Sequence, residues 1–299
     1  MECLRALERE RQSGILFDVV VVDDGSSDAT AEEVERLQSV LTTPIRFLRQ
    51  ENKGPAAARN RGVKAAQGDL ILFLGDDIIV EPGYVDAIHD VYKRHEGEIC
   101  GVLGHTRYDP CSIPTPFGRW LDGQSGLQFA YNKAKVGVPL GFDLFYTSNV
   151  LVPRDALLRA GGFNEGFRYA AFEDTELGYR LMKQGLKLYY ARHARAYHVH
   201  PISIESVAAR MQMTAKAALQ LRSLNPELFD LLYPRAESRF ARPGWHHRLV
   251  RWTLSGPVLA LLTAVDRLLH VRMPGVLYGR VLYCVQTRAI ARLWSQQEA

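Results

Sequence analysis

An α/β fold built on a largely parallel sheet is predicted for the first two-thirds of this sequence, and three observations predict it. Short apolar or β-branched runs alternate with capped, amphipathic segments. Two of those runs, at residues 17–22 and 70–74, each stop at a carboxylate pair, Asp23-Asp24 and Asp76-Asp77. Proline and glycine stand where helices would open and close.

The elements follow in order. Residues 4–11 read as the end of a helix, and 17–22 as a strand closed by Asp-Asp-Gly. Residues 29–41 read as a helix, with Ser27, Asp28 or Thr30 as its cap and a capping-box spacing from Thr30 to Glu33. Residues 45–49 form a short strand. Pro55 then opens a helix that Gly68 closes. Residues 70–74 are continuously apolar, as in a buried strand. Pro82-Gly83 opens a helix towards His95, residues 99–103 return as a strand, and 110–116 form a loop. A strand at 149–152 and a short helix at 156–160 precede Gly161-Gly162. A helix at 173–184 carries Leu177 and Leu181 on one face, and a strand at 186–190 ends the alternation. In such sheets ligands bind beyond the carboxyl ends of the strands, so the two early carboxylate pairs are expected to share one crevice.

Composition narrows the function. With 299 residues and 47% hydrophobic content, the chain can bury a large core. The net charge of +4 does not argue for nucleic acid. The charge is uneven: residues 235–299 hold ten arginines against Glu237, Asp266 and Glu298, a balance of +7 that leaves the rest at −3. A division at 1–205 and 206–299 is expected, with the second part helical and Arg-rich. The four cysteines have no metal-site or paired spacing and read as reduced thiols of a cytosolic protein. Residues 1–10 lack the apolar core of a signal peptide, and no spanning helix is expected.

Five constellations could carry chemistry. Asp23 and Asp24 at a strand end can accept from a base or ribose, though Asp, Gly and Ser also simply make turns. Asn52, Lys53 and Arg59 offer amides and cations near a helix start, where diphosphate charge is welcome; a solvated basic helix face has the same composition. Gly75-Asp76-Asp77 follows the apolar strand, and hard cations take one or two carboxylates plus phosphate oxygens; a turn before the next helix is the alternative. Glu173-Asp174 opens a helix after a glycine-rich stretch. A helix dipole favours acids there, but the apolar approach 169–172 also suits a general base. His198 and His200 follow the last strand, and at most one is expected to face the crevice.

In order and spacing these strings resemble family 2 glycosyltransferases. The matching text is VVVVDDGSSDAT, ENKGPAAARNRGV, GDLILFLGDDI with EPG after it, SNVLVPRDALLRAGGFNEGF and FEDTELGYRLMKQG. The resemblance runs from about residue 4 to residue 200 and implies a GT-A fold, a Rossmann-like mixed, mostly parallel sheet flanked by helices. It implies transfer of a sugar from a nucleotide diphosphate to a hydroxyl of a glycan, lipid or cell-surface polysaccharide precursor, with inversion and with Mg2+ or Mn2+. Asp174, beside Glu173, is then the catalytic base. Asp23, Asp24, Asn52, Arg59 and Asp76 would contact the nucleotide, and Asp77 the metal. Asn149 and Gly162 would border the acceptor. The usual motif carries a third carboxylate where this chain has Gly75.

Two rival readings are a degenerate, non-catalytic nucleotide- or partner-binding homologue and a sugar nucleotidyltransferase. The latter would show a glycine-rich phosphate loop near the N-terminus. The family also has a strand before the helix that here starts near residue 4, inside the sheet. The expectation is therefore a sheet lacking its first strand, with roughly 15–20 further residues upstream, of which about 5–6 would form a strand of typical length. A late-assigned start or a fragment is the simplest account of that expectation. The tail from residue 245 mixes Arg with Leu, Val, Tyr and Trp. It reads either as a peripheral contact with the inner face of a membrane or as a packed helix pair.

Overall fold

The computed structural model describes residues 1–237, 240 and 245–297, with the side chains of 124, 245–248 and 297 excepted. Parts of the Arg-rich tail, including Arg239, Arg242 and Glu298, lie outside the described residues. The chain divides into two compact units: 1–107 with 133–199, and 108–132 with 200–299. This differs from the expected boundary at 205, because residues 108–132 leave the first unit and join the helices of the second.

The first unit holds seven strands: β1 (Val19–Asp23), β2 (Ile45–Arg49), β3 (Leu70–Leu74), β4 (Ile78–Val80), β5 (Cys100–Tyr108), β6 (Asn149–Pro153) and β7 (Lys187–His198). Its helices are α1 (Glu2–Arg9), α2 (Thr30–Val40), α3 (Pro55–Ala65), α4 (Tyr84–Arg94), α6 (Arg154–Arg159) and α7 (Glu173–Lys183). Among the described residues the strands form two sheets, β1-β2 and β3-β6-β5-β7-β4. β1 and β2 run parallel. The pairs β3-β6, β5-β6 and β4-β7 are antiparallel.

The largely parallel sheet expected from the alternation is therefore a mixed one. A crossover helix returns the chain to the same end of a sheet, but the long irregular excursion between β5 and β6 does not. No strand precedes β1 among the described residues. β1 has β2 as its one strand neighbour and β3 has β6, so Val19, Val20, Val21 and Val22 stay half-buried. Val150 and Val152 of β6, flanked on both sides, are fully buried.

The core of this unit gathers Cys3, Ala6 and Leu7 of α1 against Ile78, Val80, Tyr84 and Ile88, with Val102, Leu151 and Ala194. α1 is amphipathic and buries its Cys3, Leu4, Ala6 and Leu7 face. Glu10 accepts from Gly83 N–H (3.1 Å) and Val85 N–H (2.9 Å), capping α4. α2 starts differently from the capping-box expectation: Asp28 Oδ1 accepts from Thr30 N–H at 3.1 Å, and Thr30 is already the first helical residue. α3 ends at Ala65, short of Gly68. All four cysteines are free thiols.

The second unit holds α5 (Pro116–Trp120), α8 (Ile204–Leu224), α9 (Pro226–Leu232), α10 (Trp245–Thr253), α11 (Leu259–Ala264) and α12 (Gly275–Gln297). Wider π-type turns at 254–258 and 265–269 carry α10 into α11 and onward. Its core packs Phe117, Trp120 and Ile204 with Leu262, Tyr278 and Leu282. The helical segment Leu249–Leu269 is long and apolar enough to cross a membrane by length and composition alone, with 17% of its apolar window buried. This corrects the expectation that no segment would qualify. The uninterrupted uncharged run, 252–265, is bounded by Arg251 and by Asp266 and Arg267, and the helical segment qualifies because it extends past them.

Candidate active site

The first carboxylate pair closes β1. Asp23 is fully buried. Its Oδ1 accepts from Ser26 N–H at 2.8 Å and its Oδ2 faces Arg49 Nε at 3.2 Å. Hydrogen bonding from Ser26 leads over burial and holds the carboxyl below its ordinary range. Asp24 accepts from Gln50 Nε2 (2.8 Å) and from the backbone N–H groups of Lys53 (2.9 Å) and Gly54 (2.8 Å). It thereby ties down the loop that leads into α3. An open surface concavity beside it is lined by Gly25, Arg49, Gln50, Glu51 and Asn52.

α3 then reaches the glycine-rich loop and α7. Arg59 Nη1 lies 2.7 Å from Glu173 Oε1, and its guanidinium stands 5.6 Å from the Phe163 ring centroid. Buried Asn60, part of the 58–62 string that offers amides and cations but given no role of its own there, grips the loop. Its Nδ2 donates to Phe163 O (2.9 Å) and Glu165 Oε1 (2.8 Å), and its Oδ1 accepts from Phe163 N–H (2.7 Å). Gly162 sits at φ 72°, and a Cβ there would stand 2.5 Å from Asn60 Oδ1. Only glycine fits that close approach. Arg180 Nη2 donates to Gly162 O at 2.7 Å, so the turn is clamped from α3 and from α7. Asn60 was legible only as one letter of the ARN string, and Arg180 carried no signal of its own.

Phe172, immediately before α7, has φ 70°, an uncommon and costly conformation for a bulky residue. The strained turn presents Glu173 and Asp174 in the first helical turn. Glu173 is buried; burial, with the Asp174 charge second, pushes its pKa up to about 7 despite the Arg59 contact. Its Oε2 is buried without a hydrogen-bond partner. Asp174 Oδ1 accepts from Thr175 N–H at 2.7 Å, and burial raises its pKa. Raising a carboxyl in this way makes its ionised form a stronger base.

The third pair follows β3. Asp76 is exposed, and Asp77 is tied to the end of β7: its carbonyl accepts from Val199 N–H (2.8 Å), and its Oδ2 lies 2.7 Å from His198 Nε2. His198 lies inside β7 rather than past it, because that strand runs eight residues beyond the expected 190. His200 is exposed. At Gly75 a Cβ would meet Asp77 Oδ1 at 2.7 Å and Ile78 Cγ1 at 2.9 Å, so the turn has no room for a third carboxylate without moving Asp77. Cys3 Sγ contacts Gly75 O at 3.6 Å, and burial pushes that thiol up to about 12, leaving it protonated. Among the described residues no three of His, Cys, Asp and Glu gather as a metal cage.

These contacts link Asp24, α3, the glycine loop and the start of α7. Phe73 of β3 meets Phe163 edge-on at 5.4 Å, bringing the third motif to the same loop. Asn149 stands apart from the expected acceptor border. It is fully buried, its Oδ1 accepts from Tyr84 OH, and its Nδ2 donates to Thr106 Oγ1 at 3.0 Å. Its amide locks the start of β6 to β5 and α4 and is turned away from solvent.

Residues 70–285 match the family described as Glycosyl transferase family group 2, and residues 2–121 match Glycosyl transferase family 2. The chain is a family 2 glycosyltransferase by these matches. It is 30% identical over 253 residues to validoxylamine A glucosyltransferase of Streptomyces hygroscopicus subsp. limoneus, covering 76% of this chain and 54% of that protein. It is 26% identical over 226 residues to chondroitin synthase of Escherichia coli, covering 65% of this chain and 32% of that protein. The chain thus spans about half or less of the length of these relatives. The mannosyltransferase PcManGT of Pyrobaculum calidifontis, solved with GDP-Man and Mn2+, shares the fold at a TM-score of 0.61 and 19% identity, covering 99% of this chain and 83% of that one.

Proposed function

We propose that this chain moves a sugar from a nucleotide diphosphate to an acceptor hydroxyl by a single inverting displacement, with Asp174 as the general base. The observation that carries the proposal is the start of α7. There a strained Phe172 presents an acidic pair whose burial makes it more basic, next to a glycine loop held by Asn60 and Arg180. In the reaction the acceptor oxygen bonds to the anomeric carbon as the bond from that carbon to the diphosphate breaks, and the hydroxyl proton passes to Asp174. Glu173, fixed by Arg59, orients the first turn of α7 and keeps it dry. Asp23 and Asp24 hold the turn that faces the nucleotide, Asn52 borders it and Asp76 lies on the ribose side.

Asp77 and His198 form a two-residue donor set of oxygen and nitrogen that fits a hard or borderline cation completed by phosphate oxygens. Mg2+ or Mn2+ bound there supplies Lewis-acid neutralisation of the departing diphosphate. Relatives that include a glucosyltransferase and a chondroitin synthase support a glycan, lipid or polysaccharide-precursor acceptor. We assign the enzyme to the cytoplasm, with peripheral contact at the inner face of the membrane through its Arg-rich helices.

A panel of UDP- and GDP-sugars with Mn2+ tests the reading. Slow release of nucleoside diphosphate, accelerated by glycan or lipid acceptors, is expected. Pyrophosphate release from a sugar-1-phosphate and a nucleoside triphosphate would overturn it in favour of nucleotidyl transfer.

A further inference from the structure

The second unit exposes a surface whose chemistry is unusual for a solvated face. Along the helical segment Leu249–Leu269, most of the apolar length is outside the core. Leu249, Val250, Trp252 and Leu261 are each more than half exposed. The segment ends in a tip, Arg267-Leu268-Leu269-His270-Val271-Arg272, in which all six residues are exposed. Leu268 is 75% exposed and Leu269 66%.

Adjacent leucines left in water, bracketed by cations, do not contribute to folding, since each side chain forgoes the transfer energy that burial would give it. The charge pattern is one-sided as well. Residues 245–297 contain a single carboxylate, Asp266. That one is 3% exposed and turned inward, accepting from Phe117 N–H at 2.9 Å and from Tyr278 OH at 3.4 Å. Arg267, Arg272 and Arg280 are all exposed, whereas the one carboxylate of this stretch is buried.

We infer that the 267–272 tip and the exposed flank of its helix dock on an anionic lipid surface. The leucines and Val271 enter the headgroup–acyl boundary, and Arg267 and Arg272 stay among the phosphates. This rests on the peripheral placement proposed above and names the residues and lipid class that produce it. A surface meant for another protein would be expected to mix both charge signs at its rim. Here the single carboxylate of residues 245–297 is withdrawn from the surface.

The test uses the full chain with sedimentation on phosphatidylcholine vesicles, with and without about a quarter phosphatidylglycerol. Binding to the anionic vesicles only, weakened by salt, is expected. The exposed pair Arg267→Gln/Arg272→Gln is expected to weaken it by about 10- to 30-fold, from roughly 1 kcal/mol per cation at the surface. Leu268→Ser/Leu269→Ser is expected to abolish it. Both variants should keep the parent's circular dichroism spectrum, because none of these side chains lies in the core. Sedimentation equal to buffer, or equal on both vesicle types, would overturn the inference. So would binding that survives alkaline carbonate, which means a spanning segment, and so would a lipid-independent dimer lost in the Leu pair. Nucleoside diphosphate release measured in the same samples without vesicles separates failure of docking from failure of the transferase reading.

Discussion

Asp23-Asp24 and Glu173-Asp174 carry the same formal charge and occupy similar places, each where one element gives way to the next. Their surroundings act in opposite directions. Around Asp23 and Asp24 the first unit supplies donors: Ser26, Arg49, Gln50 and the N–H groups of Lys53 and Gly54. Around Glu173 and Asp174 it supplies burial, one guanidinium and the Thr175 donor; one buried oxygen in each pair, Asp23 Oδ2 and Glu173 Oε2, makes no hydrogen bond. The first pair is stabilised as charge and builds a turn. The second is held where ionisation is costly, the condition under which a carboxylate takes protons. Similar acidic pairs thus meet opposite surroundings, and what distinguishes them is the donors each pair finds.

The sharpest way to break that comparison is Asp174→Asn. If Asp174 is the base, transfer falls by about 10²–10⁴, while nucleotide binding stays within a few fold and the thermal midpoint holds. Steady-state rates beside calorimetric UDP and GDP affinities would read both. A mutant of parental rate would put Asp174 back with the scaffold residues.

The Asp76-Asp77 pair lies between the two extremes, exposed on one side and bonded to His198 on the other. Asp77→Ala is expected to weaken Mn2+-dependent nucleotide binding by about tenfold or more, and Asp76→Ala by less, since direct ligands matter more than their neighbours. Equal losses in calorimetry with and without Mn2+ would remove the distinction.

How much of this was legible beforehand depended on what each residue needed from far away. The apolar run Leu70–Leu74 is a strand end to end, but only its Phe73 is buried, because among the described strands β3 pairs with β6 alone. Val19 to Val22 behave alike and stay half-buried, since the burial of a strand depends on neighbours that its own letters do not encode. The apolar pattern of β7 is interrupted by Arg192, His193 and Arg195, of which only His193 and Arg195 keep the outward alternation that a one-sided strand allows. The acidic motifs were legible as positions. The sorting between them was not: it rests on the donors each pair meets, Gln50 and the 53–54 backbone for one and Arg59 for the other, all set by tertiary contacts. Asn149 shows the same dependence, as an asparagine at a strand start looks alike whether it faces a ligand or Tyr84 and Thr106.

The scaffold side of the comparison is sharpened by Asp24→Ala. Losing the acceptor leaves two backbone N–H groups and the Gln50 amide without their partner at the start of α3. An orphaned buried donor costs about 1–3 kcal/mol. Because this turn is partly open to water, about 1–2 kcal/mol is expected in denaturant unfolding. Asp24→Asn should recover part of it. A thermal midpoint unchanged in the Ala variant would mean that the carboxylate is held for a ligand and contributes nothing to the turn.

The smallest effect is a matter of slope. Asp23 has a pKa lowered in the folded state, so its contribution to stability is fully present above the ordinary aspartate value of about 3.9 and is lost as pH falls below it. Glu173 is the reverse. Its folded pKa, raised to about 7, means the native state holds a proton that the unfolded chain has released. Stability is therefore greatest below the ordinary glutamate range and declines as pH rises towards about 7. Asp174 is raised too and adds to the same limb. Glu173→Gln should flatten the decline between about pH 5 and 7, and Asp23→Asn should flatten the acid limb alone. Urea unfolding at half-unit pH steps would resolve the two limbs. If Glu173→Gln instead removed stability equally at every pH, the Arg59 contact would outweigh burial, and Glu173 would belong with the charge-stabilised pair at the end of β1.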